Sequence, residues 1–204
     1  MNFVTRCALT VLFAFSAVVL GDAAQAADDI GKVNGSVKIE PGQQVGDVST
    51  VNGSVTIGAG ARAGEVETVN GSLKIEDKAV VGSAETVNGS ITVGAEAEVQ
   101  KGVDAVNGSL TLRQGAKVAG GLENVNGSML VEGARVEGGI ETVNGDIRLA
   151  TGSHVTGGIH VEEHKSSWWK GKDSRNPRIT IEQGVTVEGP LHFERAVDLY
   201  VAPG

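Results

Sequence analysis

Residues 51–68 read VNGSVTIGAGARAGEVET, and variants of this stretch make up most of the chain. Val-Asn-Gly occurs seven times, and successive copies start 18 or 19 residues apart. The copies begin at Val33, Val51, Val69, Val87, Val106, Val125 and Val143. A fixed period of this length is typical of stacked structural units that share one continuous core, because no single unit can bury its apolar face alone.

Each repeat holds three short apolar clusters separated by Gly-rich corners. In the first cluster, apolar and polar residues alternate as in Val55-Thr56-Ile57, which is the pattern of a half-buried strand. The same pair recurs as Val37/Ile39, Leu73/Ile75, Ile91/Val93, Leu110/Leu112, Met129/Val131 and Ile147/Leu149. The second cluster is Ala63, Val81, Val99, Val118, Val136 and Val155, and the third is Val48, Val66, Val103, Leu122, Ile140 and Ile159.

Three clusters in each repeat favour a coil with three sides. Such coils pair in parallel at a spacing of about 4.8 Å, and each coil returns the chain in the same direction. We therefore expect an all-β, single-domain parallel β-helix, a three-sided solenoid of about 8 coils with ~18 residues per coil. Asn-Gly is also a strong hairpin signal, but an antiparallel meander should show two oppositely running strands for each turn signal.

The Asn of every Val-Asn-Gly step is predicted to stack on its neighbours as a ladder of side-chain amides. We expect this ladder to point inward, and the corner to use the left-handed backbone angles that Asn and Gly tolerate. The same Asn-Gly-Ser letters also form a glycosylation sequon, which an inward ladder would make inaccessible. The ladder consists of Asn34, Asn52, Asn70, Asn88, Asn107, Asn126 and Asn144.

Residues 1–26 have the features of a secretory signal peptide. Arg6 supplies a positive start, residues 8–20 form an apolar segment, and residues 24–26 read Ala-Gln-Ala, so we expect cleavage after Ala26. The apolar segment is short for a membrane anchor. The mature chain is then expected to have no transmembrane segment and no cysteine, with 27–32 as a lead-in and 33–204 as the β-helix. We expect it in the periplasm, at the cell surface or outside the cell.

The periodic pattern stops after Ile159, and residues 162–178 are predicted to form a basic loop that contains both tryptophans. The formal charge from 165 to 178 is +4, whereas the whole chain carries −8, which argues against nucleic-acid binding. The loop is a candidate contact site for an anionic envelope polymer, lipid headgroups or another copy of the chain, unless its indoles fold back over the solenoid. Its candidate residues are Lys165, Trp168, Trp169, Lys170, Lys172, Arg175 and Arg178. The apolar tail at 197–201 is expected to cap the stack.

The sequence offers little catalytic chemistry. His160, Glu163 and His164 match the H-x-x-E-H spacing of a metallopeptidase class, but that chemistry needs a helix where this chain has a strand and a loop. With His154 nearby, only adventitious metal binding is expected. The repeated carboxylates, among them Glu65, Glu67, Glu85 and Glu141, are predicted to form a solvated face. We expect no enzyme activity, no metal site and no cofactor.

Repeats such as 51–68 and the segment ITIEQGVTVEGPLHF at 179–193 resemble the bactofilins, which are polymer-forming β-helical proteins of bacteria. The resemblance covers 33–158 and resumes at Ile179. It implies a right-handed, three-sided helix that self-associates end to end. The chain also resembles the left-handed hexapeptide-repeat acyltransferases, because apolar residues fall every six positions, but Val48 and Val66 are out of that phase.

Together these features predict a non-catalytic structural or scaffolding solenoid of the bacterial cell envelope with a capacity for self-assembly. An alternative is an adhesin-like module that binds an envelope polymer or surface through the Trp168/Trp169 loop. A polysaccharide-active β-helix enzyme is less favoured, because columns of Val and scattered Glu do not indicate a cleft of clustered carboxylates.

Overall fold

The computed structural model describes residues 28–163 and 175–203, which contain 23 β-strands and no helix. The strands are β1 (Ile30–Asn34), β2 (Val37–Ile39), β3 (Val48–Asn52), β4 (Val55–Ile57), β5 (Arg62–Asn70), β6 (Leu73–Ile75), β7 (Val80–Asn88), β8 (Ile91–Val93), β9 (Glu98–Val99), β10 (Val103–Asn107), β11 (Leu110–Leu112), β12 (Lys117–Val118), β13 (Leu122–Asn126), β14 (Met129–Glu132), β15 (Arg135–Val136), β16 (Ile140–Thr142), β17 (Ile147–Ala150), β18 (His154–Val155), β19 (Ile159–Val161), β20 (Arg178–Ile181), β21 (Thr186–Val187), β22 (Leu191–Phe193) and β23 (Asp198–Val201). The predicted signal peptide lies outside the described residues.

The strands stack as a parallel β-solenoid, which confirms the predicted fold class. The first side of the coil is a sheet of nine strands in the order β2-β4-β6-β8-β11-β14-β17-β20-β23. The second side, which includes β9, β12, β15, β18 and β21, joins the third side, which includes β1, β3, β10, β13, β16, β19 and β22, in one 14-stranded sheet. The two sides merge because the long strands β5 and β7 continue through the corner between them. The nine first-side strands slightly exceed the predicted number of coils.

The core is a set of inward columns in which like residues stack on one another. On the first side, Val55 aligns with Leu73 and Leu73 with Ile91, and all three are fully buried. The three predicted apolar clusters point inward in the same way on their respective sides. The structure adds one buried column that was not predicted from the sequence, formed by Ala61, Ala79, Ala97, Ala116 and Ala134. Small residues fit there because the column lies where the chain turns from the first side to the second.

The predicted Asn ladder is present, but it lies on the outside of the solenoid. Each Nδ2 donates to the Oδ1 of the preceding Asn at 3.0 or 3.1 Å, from Asn52 onto Asn34 through to Asn144 onto Asn126. All seven side chains are exposed, so the predicted inward orientation is wrong. The inward position belongs to the residue two places earlier. There the hydroxyls of Thr50, Thr68 and Thr86 donate to the carbonyls of Gly35, Gly53 and Gly71 at 3.1, 2.9 and 3.1 Å.

The glycine of the Asn-Gly step is required by close approach between coils. Among the described non-glycine residues only Lys78 and Glu96 have positive φ, so the ladder Asn residues do not adopt the expected left-handed conformation. A Cβ added to Gly71 would overlap the carbonyl oxygen of Gly53, and one added to Gly89 would overlap that of Gly71. From Gly53 onward, a side chain at this corner would therefore force successive coils apart.

The C-terminal tail adds a rung and does not close the end of the solenoid. Strand β23 pairs in parallel with β20, and Leu199 aligns with Ile179. Leu199, Tyr200 and Val201 remain 42%, 54% and 60% exposed, so the expected cap is not formed. No helix among residues 28–163 and 175–203 is long and apolar enough to cross a membrane.

Candidate functional site on the third side

One outward column of the third side carries ionisable residues in seven successive coils. The strand pairing places each member directly beside the next, so the column runs without interruption. Its members are Glu67, Glu85, Asp104, Glu123, Glu141, His160 and His192. Like charges directly opposite one another on neighbouring strands are destabilising, so five adjacent carboxylates are a feature that the fold alone does not explain.

Part of this column is poorly solvated. Glu67 is only 7% exposed, which contradicts the predicted solvated face at this position. Burial, followed by repulsion from Glu85, raises the pKa of Glu67 to about 7. Burial and the charges of Glu123 and Glu85 likewise raise the pKa of Asp104 to about 8. These two carboxyl groups are poorly solvated because the strands of the neighbouring coils shield them from water.

Beside the C-terminal half of the column, the corner between the second and third sides consists of glycine pairs. Gly120-Gly121, Gly138-Gly139 and Gly157-Gly158 occupy this corner in three successive coils. With no side chains there, the surface forms an open depression of about 460 Å³. Glu123, Glu141, His160 and His192 are among the residues that line it. A concave surface with several converging polar groups is the usual form of a binding site.

His160 on β19 is one of the residues that line this depression. Its Nδ1 lies 3.1 Å from Glu141 Oε1, and its Nε2 lies 3.4 Å from Glu194 Oε1. The second separation is within ion-pair range but lacks hydrogen-bond geometry, and Nε2 is buried with no hydrogen-bond partner among the described residues. The ring of His192 on β22 lies with its centroid 5.0 Å from that of His160.

His160 and His192 were not connected from the sequence, because residues 162–178 interrupt the repeat between them. In the structure, Ile159, His160 and Val161 align with Leu191, His192 and Phe193 across adjacent strands. The shared pattern apolar-His-apolar was the signal that could have revealed this pair. Of the H-x-x-E-H motif, His164 lies outside the described residues.

Only two of the seven predicted contact residues fall within the part of the chain that the structure describes. Arg175 Nη1 contacts both carboxylate oxygens of Asp146, at 3.0 and 2.9 Å. The backbone amide of Arg178 donates to Asp146 Oδ1 at 2.8 Å, and its guanidinium lies 5.7 Å from the ring centroid of Tyr200. Both residues therefore hold the start of β20, and the segment just before it, against Asp146. Contact by Lys165, Trp168, Trp169, Lys170 and Lys172, which lie outside the described residues, stays a prediction.

Comparisons with protein-family models, curated proteins and solved structures find no match to this chain.

Proposed function

We propose that the mature chain is a non-catalytic structural solenoid of the bacterial cell envelope that assembles end to end, as its resemblance to bactofilins implies. The observation that carries this proposal is an exposed apolar edge at the C-terminal end of the described solenoid, whose strands match those at its N-terminal end.

At the C-terminal end, β22 and β23 are the last strands of their sheets and pair on one edge only with the strands that the structure describes. Four apolar side chains of these strands are exposed: Leu191 by 41%, Leu199 by 42%, Tyr200 by 54% and Val201 by 60%. An unprotected apolar strand edge is a template for pairing with another chain. Natural solenoids normally protect such ends, so this end is suited to a partner.

At the N-terminal end of the described residues, β1 and β2 begin the same two sheets and also pair on one edge only within residues 28–163 and 175–203. If a second copy is added in the same orientation, its β1 follows β22 and its β2 follows β23. The inward column that ends at Leu191 then continues into Ile30, and the column that ends at Leu199 continues into Val37. The joint therefore repeats the apolar pairing found between coils inside the solenoid.

The charge of the chain favours this mode over side-by-side packing. The formal net charge is −8, and the acidic column lies along a lateral face of the solenoid. Like charge disfavours lateral contact, whereas the ends offer apolar side chains and unpaired backbone groups. Linear growth is the expected outcome.

The test uses the secreted mature protein, whose N-terminal residue we expect to be Ala27. Light scattering over a range of concentrations should show assembly that increases with concentration. Leu199→Glu should abolish assembly, because it places a charge in the apolar joint. Leu130→Glu is the matched control, since Leu130 points outward in the middle of the first side, and it should assemble normally. A strictly monomeric wild-type protein, or equal assembly by both variants, would contradict the proposal.

A further inference from the structure

We infer that His160, His192 and Glu194 form a binding site for a divalent transition-metal ion, that Zn²⁺ fits it best, and that Glu141 positions His160. This inference does not depend on end-to-end assembly.

The three side chains converge although they come from different parts of the sequence. One ligand atom from each of His160, His192 and Glu194 lies within 4.8 Å of the others. Two atoms bound tetrahedrally to zinc at about 2.0–2.1 Å lie about 3.4 Å from each other. His160 Nε2 and Glu194 Oε1 are separated by 3.4 Å. This pair is therefore spaced for a shared ion, and its geometry is not that of a hydrogen bond.

The surrounding contacts orient two of the proposed ligands. Glu141 Oε1 lies 3.1 Å from His160 Nδ1, on the side of the ring opposite the nitrogen that lies near Glu194. The backbone amide of Glu163 donates to Glu194 Oε2 at 3.1 Å, which turns Oε1 toward His160. A carboxylate that accepts the second ring proton of a ligand histidine is the usual outer partner in zinc sites. A bound ion would also explain why His160 Nε2 is buried without a hydrogen-bond partner among the described residues.

The ligand set favours zinc over the harder cations. Imidazole nitrogen suits Zn²⁺, Cu²⁺ and Ni²⁺, whereas Mg²⁺ and Ca²⁺ select oxygen ligands. Two imidazoles with one carboxylate is a known ligand set for zinc. His160 and His192 both line the open depression. The carboxylates that continue the column from this site attract cations to the same face.

A second trio, Glu141, His160 and Glu162, also brings its ligand atoms within 4.8 Å. It would use His160 Nδ1, which faces Glu141, and it contains one imidazole and two carboxylates. The trio with His192 is favoured because it uses the buried Nε2 and has two imidazoles. The two arrangements share His160 but differ in their dependence on His192 and Glu162.

Isothermal titration of the mature protein with Zn²⁺ tests the inference. One ion per chain is expected, and His192→Ala and Glu194→Gln should each weaken binding by more than tenfold. Glu141→Gln should weaken it by about 10–100-fold, as loss of an outer partner does. His154→Ala is the matched control, because His154 pairs with Glu188 at 2.8 Å on the second side and should leave zinc affinity unchanged.

Circular dichroism of each variant distinguishes loss of the site from loss of the fold. Co²⁺ as a spectroscopic substitute should give the absorption of a tetrahedral site in the wild-type protein and lose it in His192→Ala. The inference is overturned if the wild-type protein does not bind Zn²⁺, or if excess Mg²⁺ displaces the ion. It is also overturned if His192→Ala binds Zn²⁺ as tightly as the wild-type protein. If Glu162→Gln then abolishes binding, the ion is bound by the second trio instead.

Discussion

Asp146 accepts a hydrogen bond from the backbone amide of Arg178, 32 residues later in the chain, at 2.8 Å. In earlier coils the corresponding acceptor is a serine hydroxyl, as where the amide of Ser72 donates to Ser54 Oγ at 3.2 Å. Aspartate reaches the same amide and also contacts Arg175 at 2.9 Å. Of the seven Val-Asn-Gly repeats, the one that begins at Val143 lacks the serine. It is also the repeat after which the pattern is interrupted, and the chain must return to register at β20.

Replacement of Asp146 by Ser, the residue at this position in the other repeats, should lower the free energy of unfolding by about 1 kcal/mol, because charge-assisted hydrogen bonds are lost at a partly exposed site. Partial burial raises the pKa of Asp146, but the amide of Arg178 and the guanidinium of Arg175 outweigh it and hold the pKa below its usual value. This stabilisation is present above about pH 4 and is lost as the pH falls through the lowered pKa. Urea titration measures it. Additive effects of Asp146→Ser and Arg175→Ala would contradict the coupling.

The acidic column should make the protein more stable at pH 5 than at pH 8.5. The pKa values of Glu67 and Asp104 are raised to about 7 and about 8, so the folded state retains protons that the unfolded chain has already lost above about pH 4. The stabilisation from these two groups is therefore fully present below the pKa values of the unfolded chain, and it is lost as the pH rises through the pKa values of the folded state. Thermal melts of wild type and of the Glu67→Gln/Asp104→Asn double variant measure this difference.

The double variant should lose a large part of the pH dependence between pH 5 and 8.5, and the remainder is expected from Glu85, whose pKa is also raised by burial. Glu98→Gln, at an exposed position on β9, is the control and should retain it. An unchanged slope in the double variant would show that these two carboxylates are not responsible.

Gly71→Ala should destabilise the solenoid by about 3 kcal/mol or more, because the added Cβ overlaps backbone that cannot move alone. Gly31→Ala is the matched control, since its Cβ would meet only Ser49 Oγ at 3.5 Å and its φ is not positive. Chemical denaturation of the two variants should separate them clearly. Similar stabilities would mean that the coils do not approach as closely as the structure shows.

Glu96→Gly should stabilise the protein by about 1 kcal/mol. Glu96 has φ of 56°, and in the next coil the corresponding corner residue is Gly115 with φ of 75°. A left-handed conformation costs a non-glycine residue about 1–2 kcal/mol, part of which is offset by the greater entropy of unfolded glycine. Glu98→Gly, in a strand, should instead destabilise by about 0.5–1 kcal/mol. Thermal unfolding of both variants provides the comparison.

Much of the architecture is encoded locally and was predictable. The 18-residue period, the inward apolar columns and the Asn ladder all follow from side chains that repeat at fixed positions. The direction of the ladder was not predictable from Asn alone. It depends on Thr50 and its equivalents, which occupy the inward position. Their hydroxyls donate to the glycine carbonyl at the corner of the preceding coil, as Thr50 does to Gly35.

The candidate site depends on how the strands before and after residues 162–178 align with one another. The 18-residue period does not predict that alignment, because it is interrupted there. His160 and His192 become neighbours because the strands from β20 onward return to the register of the earlier coils, which the hydrogen bond from Arg178 to Asp146 helps to hold. The burial of Glu67 likewise results from stacking with neighbouring rungs, whereas its sequence context resembles a solvated face. In both cases contacts between distant segments decide the chemistry.

Electron cryomicroscopy of the mature protein at high concentration tests end-to-end assembly most directly. We predict unbranched filaments in which the strand spacing of about 4.8 Å continues without a gap through every junction, with β1 of one copy beside β22 of the next. Isolated single solenoids at all concentrations, or copies joined along their lateral faces, would contradict the proposed function.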